Sequence, residues 1–180
     1  MFRLESLPVV VKRILLLGIV IFAAMLQNTD GLLPVIAGAR IFILIPVVVC
    51  IGMCEGEISG LAYGLAGGAF WDVCASGPDG FHGFYLALTG CIAGVLVHFV
   101  MRNRLLTQYC ISTIASLVYS VGYWYITVYS QTGDMNYNKL LGFYLPGAVV
   151  TTAISFAAYY LIRYISRTLV EKEPEINNVR

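Results

Sequence analysis

The sequence predicts an all-α membrane protein, with about six transmembrane helices in one compact bundle and both termini in the cytoplasm. Of the 180 residues, 59% are hydrophobic and only 12% are charged, and the mean hydropathy is +0.81. A soluble domain is about half apolar and about a quarter charged. Three observations lead to this fold class: the apolar excess, its division into membrane-length runs, and the uneven placement of the basic residues.

The apolar runs define the predicted spans, because a transmembrane helix needs about 20 apolar residues to cross about 30 Å of hydrocarbon. Six runs form a single transmembrane domain over 1–170, before a polar tail at 171–180: 8–27, 32–54, 57–72, 83–100, 106–129 and 140–162. The second run is interrupted by Arg40 and Pro46, and the third is short. Two short tilted spans are expected there, and a re-entrant hairpin buried in protein is the alternative.

Lysine and arginine set the orientation, because they favour the cytoplasmic side of a membrane. With the N-terminus inside, only Arg40 and Lys139 lie outside. The other nine basic residues lie inside: Arg3, Lys12, Arg13, Arg102, Arg104, Arg163, Arg167, Lys172 and Arg180. The loop 73–82 is therefore expected outside the cell. The first run lacks a small-x-small cleavage site and is expected to be a retained helix, not a signal peptide.

Glycines recur every four residues through the stretch EGEISGLAYGLAGGAFWD at 55–72. Residues four apart share a helix face, and in lipid small residues let two helix backbones approach closely. The spacing predicts a groove about 18 Å long. The fourth run repeats the spacing and is the natural partner inside the chain, although a helix of another protein would fit the same face. The predicted packing or partner interface comprises Gly56, Gly60, Gly64, Gly68, Gly90 and Gly94.

Four charged residues are expected to be buried or to mark a membrane boundary. Glu55 and Glu57 lie at the predicted start of the third helix, where carboxylates are favourable. Asp72 follows Gly68 by four residues and faces the unfavourable negative end of the helix dipole. It is either a boundary residue or the partner of a donor that fixes the 73–82 loop. Arg40 completes the set.

The remaining polar and aromatic residues give no catalytic motif. The five cysteines have no metal-ligand spacing, and neither His82 nor His98 is expected beside a nucleophile or a carboxylate. His82 is expected to be an interfacial side chain. The tyrosines and tryptophan at 119–129 and the tyrosines at 159–164 are expected to anchor the two interfaces, and the alternative is that Tyr119 and Tyr123 line a pocket. No enzyme activity, metal, cofactor or nucleic-acid partner is expected.

The stretch 55–72, with its acidic-glycine start, spaced glycines and Trp71-Asp72 end, resembles the rod shape-determining protein MreD family. Gly80–Gly83, which opens the next helix, and LQNTDGLLP, which ends the first, add to this likeness. The sequence departs from the family at GARIFIL, where Arg40 stands without the aspartate that commonly opens the second helix.

The resemblance implies a non-enzymatic scaffold of the bacterial cell-shape machinery, in the cytoplasmic membrane. Its implied partners are MreC and, indirectly, MreB, RodA and a penicillin-binding transpeptidase. The implied fold is that of the substrate-binding S-components of energy-coupling-factor vitamin transporters, and such an S-component is the alternative function. Its outer cavity would be lined by the polar candidates Asn28, Arg40, Tyr123, Trp124, Asp134 and Asn136. The residues leave open whether the chain forms a homodimer.

Overall fold

The chain folds into a bundle of helices in a computed structural model that describes residues 7–29, 41–75, 80–100, 104–126 and 145–170. The six helices of this part are α1 Leu7–Asn28, α2 Leu44–Glu55, α3 Glu57–Cys74, α4 Phe81–Phe99, α5 Leu105–Trp124 and α6 Leu145–Val170. The predicted all-α bundle of six helices is thus confirmed. Three helices contain segments long and apolar enough to cross a membrane: Val10–Asn28, Phe81–Phe99 and Leu105–Trp124. These segments indicate a multi-pass membrane protein.

The helix α2 occupies the centre of the bundle and is too short to span a bilayer. Its 12 residues extend about 18 Å, and all of Leu44–Met53 is buried. The five other helices pack around it. Within the described part of the predicted span 32–54, the helix begins at Leu44, and residues 32–40 of that span lie outside the described residues. Pro46 explains the start, since proline is tolerated in the first turn of a helix and not in its interior.

Side chains of two neighbouring helices accept hydrogen bonds from buried backbone N–H groups just before and at the beginning of α2. Thr151 of α6 accepts a hydrogen bond from the backbone N–H of Phe42 at 2.8 Å. Gln27 of α1 accepts one from the backbone N–H of Leu44 at 3.0 Å. The first N–H groups of a helix have no partner within the helix, and in a membrane water cannot supply one. The polar ends of α1 and α6 therefore make a half-length helix possible inside the bundle.

One end of the bundle gathers the start of α1, the end of α2 and the end of α6. Lys12 Nζ lies 2.7 Å from a carboxylate oxygen of Glu55, and the hydroxyl of Ser166 donates to the same carboxylate. We call this the basic end, because the chain order also brings Arg13, Arg104 and Arg163 towards it. The assignment of this end to the cytoplasm stays a prediction, and Arg40 lies outside the described residues.

Replacing Thr151 by valine tests the capping of α2. The substitution keeps the shape of the side chain but leaves the buried N–H of Phe42 without its acceptor. We expect a loss of about 1–3 kcal/mol in the free energy of unfolding, measured by denaturation in detergent micelles. Thr113→Val is the matched control, because Thr113 is only partly buried and its hydroxyl donates to the carbonyl of Tyr109 in its own helix. Equal effects of the two substitutions would contradict the capping role.

Candidate functional site

The backbones of α3 and α4 touch directly along a line of glycines, and this pair makes the most extensive helix contact of the described chain. A Cβ atom added at Gly60, Gly64 or Gly68 would lie under 3.0 Å from backbone atoms of α4. The α4 residues opposite are Gly90, Leu86 and Gly83, in that order. We call this contact line the glycine seam. No residue with a side chain fits these three α3 positions without moving one helix away from the other.

The central helix α2 contributes a glycine to the seam. A Cβ added at Gly52 would clash with the backbone of Gly90, and one added at Gly60 would lie 2.8 Å from the Cα of Gly52. Three backbones therefore meet at one point. Gly52 was not among the predicted interface glycines, although it precedes Gly56 by four residues and continues the same spacing.

Gly56 has a different role from the other predicted seam glycines. Its φ is +91° and a Cβ built there meets nothing within 4 Å, so its side-chain direction does not face α4. The residue connects the end of α2 to the start of α3, and its conformation is one that L side chains rarely adopt. Gly94 packs against this turn, since its Cβ would lie 2.5 Å from the Cα of Glu57.

Asp72 caps α4, although it belongs to α3. One carboxylate oxygen accepts from the backbone N–H of His82 at 3.0 Å, and the other accepts from the N–H of Gly83 at 2.8 Å. The carboxylate thus meets the positive N-terminus of α4, which offsets its unfavourable position at the end of α3. Of the two interpretations of Asp72, this geometry agrees with the one in which the carboxylate pairs with donors from a neighbouring element.

His82 is a buried partner of Asp72, and its predicted place at a membrane interface stays a prediction. Its side chain is 1% exposed and its Nδ1 lies 2.7 Å from Asp72. The ring of Trp71 packs on the imidazole, with 4.3 Å between centroids. Sequence analysis assigned His82 to a loop and therefore did not expect a carboxylate beside it. In the structure the residue lies in the first turn of α4, and the close packing of α3 on α4 places its side chain beside Asp72.

Aromatic rings fill the space around this His–Asp pair. Tyr119 of α5 is 2% exposed and its ring lies 4.7 Å from that of Phe42 and 5.4 Å from that of Trp71. The expected interfacial anchoring was therefore wrong for Tyr119, and likewise for the buried Trp124 and Tyr159. Three other members of the predicted belts are exposed: Tyr125, Tyr160 and Tyr164.

The two glutamates at the start of α3 have different surroundings. Glu55 is largely buried and bridges α1 and α6 through Lys12 and Ser166. Glu57 lies in the first turn of α3, and its carboxylate is 3.8 Å from Nδ1 of the exposed His98 of α4. The α2–α3 turn is therefore tied to three further helices by charge and hydrogen bonding.

A buried polar stripe runs along α5 and was missed by sequence analysis. Gln108, Ser112, Ser116 and Ser120 recur every four residues and are each at most 1% exposed. The Gln108 amide donates to the carbonyl of Pro46 at 3.1 Å and so joins α5 to the first turn of α2. Small polar residues serve helix contacts in membranes as glycines do, and the four-residue spacing was the available signal.

Within the described ranges, no group of three His, Cys, Asp or Glu side chains could hold a metal ion. The five cysteines are free thiols, with Cys50 buried and Cys74 and Cys110 exposed. The polar groups at both ends of the seam are engaged in holding helices together. The arrangement is suited to fixing helices in place, and its most specific element is the seam with its Asp72 cap.

Comparisons with protein-family models, with curated proteins and with solved structures find no match to this chain.

Substituting single glycines by alanine tests the seam. Gly60→Ala forces α3 and α4 apart, and we expect it to lower the free energy of unfolding by about 1–3 kcal/mol, as overpacking does. The matched control is Gly18→Ala in α1, where an added Cβ meets nothing within 4 Å. Alanine is the better helix former, so Gly18→Ala should be neutral or stabilising by up to about 1 kcal/mol. Equal changes in the free energy of unfolding for the two variants would show that Gly60 is packed no more tightly than Gly18.

Substituting Asp72 tests the cap on α4. Asp72→Ala removes the two carboxylate oxygens that accept from the backbone N–H groups of His82 and Gly83. We expect faster amide hydrogen exchange at these two residues and a loss of about 0.5–2 kcal/mol in the free energy of unfolding. Asp72→Asn keeps one acceptor oxygen and should have a smaller effect. The backbone N–H of Gln108 serves as the internal reference for exchange, because it donates to the carbonyl of Arg104 in the first turn of α5. Unchanged exchange at His82 and Gly83 in the alanine variant would show that Asp72 does not hold this turn.

Proposed function

We propose that the chain is a non-enzymatic membrane scaffold of the MreD type, which works with MreC in the bacterial cell-shape machinery. One observation carries the proposal: the spaced glycines of α3 and Asp72, which are central to the family resemblance, belong to a single helix contact. The glycines of α3 contact α4 along the seam, and Asp72 closes the seam on His82 and Gly83. The sequence pattern and the packing of the two helices therefore have one explanation.

A scaffold needs a fixed arrangement of helices more than it needs a reactive group. In this chain the glycine seam joins two consecutive helices, while the Lys12–Glu55 ion pair and the bond from the backbone N–H of Phe42 to Thr151 join parts of the chain that are distant in sequence. Long apolar side chains cover the outward face of α1, including Ile14 and Phe22. A rigid core with lipid-facing helix surfaces supports the role of a platform for other membrane subunits.

The vitamin-binding alternative depends on polar side chains around an outer cavity. Tyr123 stacks on Tyr119, with centroids 5.6 Å apart, and Trp124 is buried. Asn28 lies at the end of α1, while Arg40, Asp134 and Asn136 lie outside the described residues. The aromatic rings around His82 fill the space at the start of α4, where such a cavity would open. The described side chains therefore favour the scaffold over the S-component.

Complementation tests the proposal. The tagged chain is expressed in a rod-shaped bacterium depleted of its own MreD, and cell shape and co-purification with MreC are measured. We expect restored rods and retained MreC for the natural chain and for Gly18→Leu on the open face of α1. Gly60→Leu should lose both, because it separates α3 from α4.

Two results would contradict the proposal. One is a correctly folded chain that neither restores rods nor retains MreC. The other is a stoichiometric vitamin in the purified protein, detected by mass spectrometry, which would favour the S-component.

A further inference from the structure

An apolar groove of about 220 Å³ opens between α4 and α5. Leu88 and Ile92 form one wall and Ile114 and Val118 form the other, and all four side chains are at least partly exposed. Each pair is spaced by four residues, which places its members on one helix face. The segments Phe81–Phe99 and Leu105–Trp124 are both candidate membrane spans, so the groove faces hydrocarbon.

The groove exists because α4 and α5 pack on different neighbours. The helix α4 lies mainly against α3 and α2, whereas α5 lies mainly against α6 and α2, and the two helices barely touch each other. The hydroxyl of Tyr85 crosses between them and donates to the carbonyl of Ala115 at 2.5 Å. Both residues line the groove, and Tyr85 is the lining residue of α4 that lies farthest from the basic end, so the bridge crosses the groove near that end.

The length of the groove matches one leaflet of a bilayer. Its α4 wall extends from Tyr85 to Leu96, a distance of about 17 Å at the rise of an α-helix. Half of the hydrocarbon core is about 15 Å thick. A chain that enters from the basic end would therefore be covered along one leaflet and would stop below the Tyr85–Ala115 bridge.

A basic residue precedes the α5 wall of the groove, where α5 begins at the basic end. The connection between the two groove helices, residues 100–104, ends at the exposed Arg104 directly before α5. Basic residues at the membrane surface attract anionic lipid headgroups by about 1 kcal/mol each. The groove thus combines an apolar trough of leaflet length with a positive charge where a headgroup would lie.

We propose that this groove binds one anionic phospholipid, with an acyl chain between α4 and α5 and the phosphate at Arg104. A transmembrane helix of a partner protein fits less well, because it would have to continue over the Tyr85–Ala115 bridge to cross the whole membrane. This inference is independent of the proposed scaffold function.

Native mass spectrometry of the purified full-length chain tests the binding. The protein in detergent micelles is mixed with phosphatidylglycerol or with phosphatidylcholine of the same acyl chains. We expect retention of one phosphatidylglycerol, about fivefold stronger than retention of phosphatidylcholine, which is the effect of about 1 kcal/mol. Arg104→Gln should remove this preference and leave phosphatidylcholine unchanged. Equal retention of the two lipids by the natural chain would overturn the proposal.

Filling the groove tests the acyl-chain site. Ala115→Phe places a ring on the groove floor, and we expect about tenfold weaker retention of phosphatidylglycerol. Val121→Phe is the matched control, because Val121 lies on an exposed face of the same helix outside the groove. If Ala115→Phe does not fold, Ile92→Trp fills the groove from its exposed wall. Retention equal to that of the control would overturn the proposal.

A photo-crosslinking residue in place of Ile92 distinguishes a lipid from a protein in native membranes. We expect an adduct with the mass of a phospholipid. An adduct with the mass of a protein would overturn the proposal and identify the groove as a helix-docking surface.

Discussion

Direct contact between the backbones of α3 and α4 is the constraint on which the rest of the structure depends. In lipid there is little hydrophobic force between helices, so close packing must supply the attraction. Gly60, Gly64 and Gly68 allow that approach because any Cβ there would overlap α4. The approach also brings Asp72 over the first turn of α4 and places Gly94 against the start of α3. The contacts at both ends therefore depend on the seam.

The seam also explains how the bundle holds a half-length helix in its core. Because α3 and α4 lie so close together, α2 can contact both of them through Gly52. The beginning of α2 would otherwise carry unsatisfied N–H groups in an apolar interior. Gln27 and Thr151 supply acceptors from α1 and α6, and Gln108 of α5 bonds to the Pro46 carbonyl. These three polar side chains, from three different helices, are thus directed at the beginning of α2.

Periodicity made the glycine face and its α4 partner predictable, because both follow from residues four apart on single helices. The sequence could not reveal which positions meet across helices. His82 was assigned to a loop, and its burial follows from the capping of α4 by a residue ten positions earlier. Tyr119 resembles a boundary anchor in sequence but packs against Phe42, which precedes α2, and Trp71 of α3. Gly56 shares the spacing of the seam, yet its positive φ makes it a turn residue.

The most direct test of this account is a double-mutant cycle on Gly60 and Gly90, with the free energy of unfolding measured in detergent. A Cβ added at either residue would clash with the backbone of the other, so the first alanine already forces the helices apart. The account predicts that the second alanine costs much less than it does alone, with a coupling of about 0.5–3 kcal/mol. Additive costs would contradict direct contact between the two backbones.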